Sequence, residues 1–255
     1  MNRPDNQLQI DVCMPTWNSG EVLEETLDRL AVSISFPDVA INRLIVVDNL
    51  SEDETVAIAR SKAREYGWEV VINQEKSLLP KARELAIQMV RAPWFLFLDD
   101  DVRLSEEYLS QLVGCIAPSI GAVQGRKLSS TEKPWEWAQR RVYRGGTHAT
   151  LIRTDALRGI SIPQGVKVLE DEYIRRYIES SEYLWIFNHQ ARFDHDSMER
   201  HPMGWEQGYI AGRYELMPFH SIILLIGDAI VSMRNPSDRL VLLFGYLYGS
   251  MFRSD

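Results

Sequence analysis

Two cysteines, Cys13 and Cys115, are all that the 255 residues contain, and both stand among apolar neighbours. That excludes a disulfide framework and points to two buried thiols in a reducing compartment. No run of about 18 apolar residues occurs, so a membrane-spanning helix is not expected. The opening stretch, MNRPDNQLQI, has no apolar segment of leader length, so no secretion signal is expected either. Basic residues are also in short supply: 28 Lys and Arg face 36 Asp and Glu, a formal charge of -8. A nucleic-acid partner needs a cationic footprint to exchange for phosphate counterions and is excluded on that ground. A nucleotide is not excluded, because a divalent metal and a few local cations offset a diphosphate. The expectation is a cytoplasmic protein without linkers, repeats or low-complexity stretches.

What is present is a regular alternation of strand and helix signals over the first hundred residues. Leu8–Met14 is a short apolar run closed by Pro15, and Val22, Leu23, Thr26, Leu27 and Leu30 recur at helical spacing after Asn18-Ser-Gly-Glu21, which has the form of a capping box. Leu44–Val47 is apolar without polar alternation, as a strand covered on both faces should be. Ser51-Glu-Asp-Glu54 reads as a second capping box, opening a helix that stops at Gly67. Strands follow at Glu69–Ile72 and Trp94–Leu98, with a helix over Pro80–Val90 between them and another from Ser105 to Pro118. Beyond 118 the pattern loosens: Gly121–Lys127, Thr147–Arg153, Tyr183–Phe187 and Arg192–His195 read as strands and Leu169–Glu179 as a helix. The expected organisation is one domain over 1–215, in halves 1–118 and 119–215, followed by an apolar helical segment over 216–255.

Repeated strand–helix–strand units imply an α/β fold with an open, mostly parallel sheet, and such sheets bind ligands at the carboxyl ends of their strands. That rule singles out Pro15–Gly20, Asp48–Ser51 and Asp99–Asp101. Three adjacent carboxylates repel one another, an arrangement that is costly unless a cation neutralises it. Mg²⁺ or Mn²⁺ takes carboxylate and phosphate oxygens together. A solvated acidic loop is the plainer reading of an Asp triplet. Its place at the end of the buried strand Trp94-Phe-Leu-Phe-Leu98 favours the metal.

Five segments, in this order, resemble the inverting family 2 glycosyltransferases of the GT-A fold: Val12-Cys-Met-Pro-Thr-Trp-Asn18, Ile45-Val-Val-Asp-Asn-Leu-Ser-Glu-Asp53, Pro80-Lys-Ala-Arg-Glu-Leu-Ala86, Phe97-Leu-Asp-Asp-Asp101 and Leu169-Glu-Asp-Glu172. The resemblance covers roughly residues 8–200, with two departures: Leu50 replaces the common Gly or Ala, and Glu84 the usual Asn. It implies transfer of a sugar from a nucleotide-diphosphate donor to an acceptor hydroxyl. Pro15, Thr16, Trp17 and Asn18 would line the nucleotide pocket, with Trp17 stacked on the base. Asp48 would accept a base N–H, which suits uracil or thymine. Arg83 would approach the diphosphate, with Asp99 and Asp100 beside it. Asp99 would hold the ribose or join the metal shell, Asp101 would bind Mg²⁺ or Mn²⁺ directly, and His195 would complete that shell.

An inverting transfer needs a base to take the acceptor proton. Glu170-Asp171-Glu172 offers carboxylates at a helix start, where the dipole tolerates them whatever their role. The resemblance makes Asp171 the base and Glu170 its orienting neighbour, with Glu172 pointing elsewhere. Gly145-Gly146 reads as a turn, or as room for the acceptor. The histidines at 189, 195 and 201 match no zinc pattern. A nucleotidyltransferase is the rival enzyme, but Pro15-Thr-Trp-Asn-Ser-Gly20 lacks its basic, Gly-rich character. An inactive nucleotide-sugar-binding subunit is the rival from another class. The expected acceptor is a glycan or a lipid-linked hydroxyl. His220–Met233 and Leu240–Phe252 are apolar stretches of about 13 residues, too short to span a bilayer core of about 30 Å at 1.5 Å per residue. They are expected to pack on the domain, form a homodimer, or lie against a membrane surface with little salt dependence.

Overall fold

The computed structural model describes residues 7–34, 39–127, 145–195, 204–232 and 236–253. The chain forms two compact units from interleaved stretches: 1–129, 147–161 and 177–196 in the first, 130–146, 162–176 and 197–255 in the second.

In the first unit β1 (Leu8–Thr16) lies between β2 (Val39–Asp48) and β4 (Trp94–Leu98), and β3 (Glu69–Gln74) flanks β2, all in parallel. Next, β7 (Ala149–Arg153) runs antiparallel to both β4 and β6 (Ile120–Lys127), β8 (Leu184–His195) runs parallel to β6, and β5 (Val102–Leu104) pairs antiparallel with β8. The order is β3-β2-β1-β4-β7-β6-β8-β5. The sheet is therefore mixed and mostly parallel, flanked by α1 (Leu23–Ser33), α2 (Thr55–Tyr66), α3 (Leu79–Met89) and α4 (Tyr108–Val113). All five residues of β4 are buried, which accounts for a run with no alternation. α1 buries Leu23, Thr26, Leu27 and Leu30, the face its spacing anticipates. Gly67 takes φ 71 and returns its N–H to the last carbonyls of α2.

Three local expectations are corrected. Neither capping box caps its helix: Ser51 turns its hydroxyl to Asp48 instead, while Asn18 adopts φ 50 and accepts the Glu52 N–H at 2.9 Å. The two late strand segments are one strand, β8. The helix expected from Ser105 to Pro118 covers only Tyr108–Val113, and the residues just before Ser105 form β5. One ion pair sits wholly inside the sheet, Asp11 to Arg43 at 2.6 Å. Burial pushes the Asp11 carboxyl up, but hydrogen bonds from Arg43, the Arg91 N–H and the Ala92 N–H outweigh it and hold it below the usual range.

The second unit holds the first turns of α5 (Glu170–Ser180), then α6 (Trp205–Arg213), α7 (Phe219–Ser232) and α8 (Pro236–Met251). Its core comprises Ala211, Met217, Ile222, Leu242 and Tyr246. α6 and α8 touch backbone to backbone. A Cβ added at Gly208 would fall 2.1 Å from the Leu242 carbonyl oxygen, and one at Gly249 would fall 2.2 Å from that of Tyr209. No described helix is long and apolar enough to cross a membrane.

Candidate active site

The carboxyl ends of β1, β2 and β4 carry the first cluster. Thr16 and Asp48 are register partners, which places the Thr16 hydroxyl 3.0 Å from the Asp48 carboxylate. Asp48 is fully buried and also accepts the Ser51 N–H at 3.0 Å, the Ser51 hydroxyl at 2.5 Å and the Gln74 side-chain amide at 3.2 Å. These bonds lock the β1 and β2 loops together, helped by the Asn18 N–H to Ser51 Oγ at 2.8 Å and the Gly20 N–H to Asp53 at 2.8 Å. Pro15 is half-buried behind them. Trp17 is 65 % exposed, so it is no core aromatic. Leu50 stands in the left-handed region at φ 56, which is why a Gly suits this position and a Leu is strained there.

At the end of β4 each carboxylate of the triplet has a different partner. Asp99 accepts from Arg83 at 2.9 Å, and the buried guanidinium also lies over the Phe97 ring at 5.1 Å. Burial works to raise the Asp99 carboxyl, but the charge of Arg83, then His148, the Arg83 hydrogen bond and His195 bring it below its ordinary range. Asp100 accepts the Ser19 hydroxyl. Burial pushes Asp100 up to about 6 against that hydrogen bond, with the charges of Asp99 and Asp101 adding to the rise. Asp101 lies 3.1 Å from His195 Nε2, a contact set by the pairing of Val102 with His195. The His195 ring stacks on His148 at 5.6 Å and 2°. Burial drives the His148 ring down to about 4 despite the nearby Asp99.

The first unit thus gathers Thr16, Asp48, Arg83, Asp99, Asp100, Asp101 and His195 at one edge of the sheet. Sequence reasoning missed His148 and Ser19. His148 precedes β7, whose antiparallel return brings the His148 carbonyl to the Asp99 N–H at 2.9 Å, and nothing local to residue 148 signals that. His201 lies outside the described residues.

Among the described residues no three His, Cys, Asp or Glu side chains already form a metal cage. The donor chemistry nevertheless fits a hard divalent cation. One carboxylate and one imidazole face each other, 22 % and 28 % exposed, beside a carboxyl that its neighbours' charges help to push up. Mg²⁺ in particular takes few protein ligands and completes its shell with phosphate oxygens and water.

The second unit carries the other acidic cluster at the start of α5. Glu170 is buried and Asp171 half-buried, and Asp171 accepts the Glu172 N–H at 2.8 Å. Glu172 is fully buried. It accepts the Gly145 N–H at 2.7 Å and engages Arg175 at 2.7 Å, so it is a structural carboxylate rather than a surface one. Gly145 is needed for close approach: a Cβ there would lie 2.7 Å from the Asp171 carbonyl oxygen. The space it leaves is filled by the chain's own backbone, not by an acceptor.

Known structures share this architecture. S. aureus TarS 1-349 in complex with UDP-GlcNAc is 18 % identical with a TM-score of 0.60, over 94 % of this chain and 71 % of that one. The mannosyltransferase PcManGT from Pyrobaculum calidifontis, in complex with GDP-Man and Mn²⁺, is 18 % identical with a TM-score of 0.65, over 96 % and 76 %. Glucosyl-3-phosphoglycerate synthase from Mycobacterium tuberculosis, in complex with Mn²⁺ and UDP-glucose, is 15 % identical with a TM-score of 0.53, over 75 % and 72 %. These identities speak for the fold, of GT-A type. No curated protein matches the chain in sequence. The model of glycosyl transferase family 2 matches residues 11–178, two thirds of the length, and the chain belongs to that family.

Proposed function

We propose that the protein is a metal-dependent inverting glycosyltransferase, taking a sugar from a nucleoside-diphosphate donor held by the first unit. One observation carries this reading: the acidic triplet after β4 meets Arg83 on one side and His195 on the other. Carboxylates alone would repel a diphosphate, and a guanidinium with a carboxylate–imidazole pair accommodates one together with its counter-ion.

Trp17 presents an open aromatic face for the base. Asp48 reads a pyrimidine N–H by releasing its longest bond, the one from exposed Gln74, which favours a UDP or dTDP donor. Pro15, Thr16 and Asn18 shape that pocket, while Arg83, Asp99 and Asp100 border the diphosphate and ribose. Asp101 and His195, with Asp99 alongside, would hold Mg²⁺ or Mn²⁺. When bound, the ion supplies electrostatic stabilisation of the departing diphosphate. Asp171 takes the acceptor proton as the hydroxyl oxygen attacks the anomeric carbon, and Glu170 orients it. The acceptor is a hydroxyl of a glycan or lipid-linked saccharide in polysaccharide, glycan or glycolipid synthesis, and the protein works in the cytoplasm. The exposed row Leu240, Val241, Phe244, Leu247, Tyr248 and Met251 on α8 suits a membrane surface or a second copy. Arg253, the only charged residue in 240–253, is paired to Glu215 at 2.7 Å, so such contact would be insensitive to salt.

A donor panel with and without Mn²⁺ tests the reading. Release of nucleoside diphosphate is expected, and pyrophosphate release would instead indicate nucleotidyl transfer. Asp101→Asn should remove the Mn²⁺-linked part of nucleotide stabilisation in a thermal melt. If that part survives, Asp101 is not a ligand.

A further inference from the structure

The residue immediately before the second acidic triplet is held in a conformation that L side chains rarely adopt. Leu169 has φ 63, although it is neither Gly nor Asn. Such a backbone persists only where its surroundings over-determine it, and those surroundings are distant in sequence. Leu169 packs against the cluster of Ala211, Met217, Ile222, Leu242 and Tyr246, which α6, α7, α8 and the turn after α6 contribute. Arg176 of α5 ties down the same turn, donating to the Leu216 carbonyl at 3.1 Å, and the Tyr246 hydroxyl donates to the Met217 carbonyl at 3.0 Å.

The surface that receives Leu169 is stiff. Gly208 and Gly212 of α6 meet Gly245 and Gly249 of α8, and a Cβ at any of the four would lie 2.1–2.4 Å from a carbonyl oxygen of the opposite helix. Leu242 and Tyr246 supply two of those carbonyls, so backbone-to-backbone packing fixes the stretch of α8 from which their side chains start. On the other side of residue 171, Gly145 rests against the Asp171 carbonyl and Glu172 holds the Gly145 N–H. Asp171 is thus the half-buried member of a triplet whose backbone is held from both sides.

We propose that the α6–α8 helix pair is a positioning device for Asp171: by keeping Leu169 left-handed it sets the direction in which the Asp171 carboxylate leaves the start of α5. Leu169, Leu242 and Tyr246 are positioning residues, and the C-terminal helices are part of the catalytic apparatus. This rests on the reading of Asp171 as the base. A carboxylate displaced by about 1 Å loses on the order of 100-fold in rate while ligands bound elsewhere are unaffected.

The test uses the full-length protein carrying Leu242→Ala, Tyr246→Phe, Asp171→Asn, or Asp171→Asn combined with each of the others. Turnover is read against donor concentration, nucleoside-diphosphate affinity by calorimetry, and folding by thermal melt. Leu242→Ala is expected to lower kcat at least tenfold and Tyr246→Phe severalfold, with nucleoside-diphosphate affinity unchanged. In the Asp171→Asn background neither should lower kcat further, because a misaimed base and an absent base are equivalent. A helix pair that merely stabilises the fold would instead give losses that multiply, and that result overturns the proposal. So does wild-type kcat in a folded Leu242→Ala protein. Should Leu242→Ala fail to fold, Tyr246→Phe, which removes one hydroxyl, decides by the same criteria. Wild-type turnover in Asp171→Asn alone would remove the base reading and this one with it, whereas an inactive Asp171→Asn beside a fully active Tyr246→Phe and Leu242→Ala removes only the positioning role.

Discussion

At residues 99–101 three carboxylates crowd the end of a strand, and at residues 170–172 three carboxylates open a helix. The first set is compensated from afar: Asp99 by Arg83 of α3, Asp100 by Ser19 of the β1 loop, Asp101 by His195 of β8. The second is compensated mostly at hand, with Glu172 bound to Arg175 one turn along and Asp171 accepting the N–H of its own neighbour. A cluster that collects its partners from three separate elements keeps three carboxylates together at the end of one strand. A cluster that satisfies itself locally leaves Asp171 half-buried, between the buried Glu170 and Glu172.

The strongest way to break this contrast is to neutralise one member of each triplet. Asp171→Asn should cost roughly 10²–10⁴ in turnover without weakening the donor. Asp101→Asn should abolish the Mn²⁺-dependent share of nucleotide binding. Single-turnover kinetics and calorimetry separate the two, and identical losses in both variants would show that the triplets do not divide the work.

Removing the cations gives the next largest effect. Arg175→Ala takes the guanidinium from a fully buried carboxylate and should destabilise the fold by about 3–5 kcal/mol in urea unfolding. Arg83→Ala should cost less stability, since the Asp99 side chain is 22 % exposed to water, and more donor affinity. The reverse order would mean that Arg83 is the structural cation.

The smallest effect compares two left-handed leucines. Leu50→Gly relieves about 1–2 kcal/mol of strain and loses roughly 0.5–1 kcal/mol to chain entropy, so its melting temperature should stay the same or rise slightly. Leu169→Gly also gives up a packed side chain and should melt lower. Equal shifts would imply that Leu169 gains nothing from its neighbours.

Much of the sheet was legible because its inner strands are largely buried on both faces and its breaks are chemically abrupt: Trp94–Leu98 has no polar residue, and Gly67 can end a helix in a way few residues can. The Asp triplet was legible for the same reason, standing where an apolar run stops. His148 was not, since its role depends on an antiparallel return from residues 149–153 that no periodicity encodes. Ser51 was misread as a cap because a Ser before Glu-Asp-Glu suits a helix start, and only the register of Asp48 reveals the stronger claim on its hydroxyl. β8 read as two strands because Asn188, His189 and Gln190 interrupt its apolar pattern with exposed or polar positions. The left-handed turn at Leu169 carries no sequence signal, because its cause lies in residues 211–246.

The pairing of Val102 with His195 also fixes a sequence of events in time. A ribosome adds about 5–20 residues per second, so Asp101 emerges roughly 5–20 s before the histidine that faces it has been made. Over part of that interval β4 has β1 on one side and nothing on the other, because β7 is still unsynthesised. An all-apolar strand with one open edge is a template for pairing with another chain. During synthesis, then, Trp94–Leu98 stays exposed to wrong pairing until β7 arrives to cover its edge, and β8 later brings His195 to Asp101.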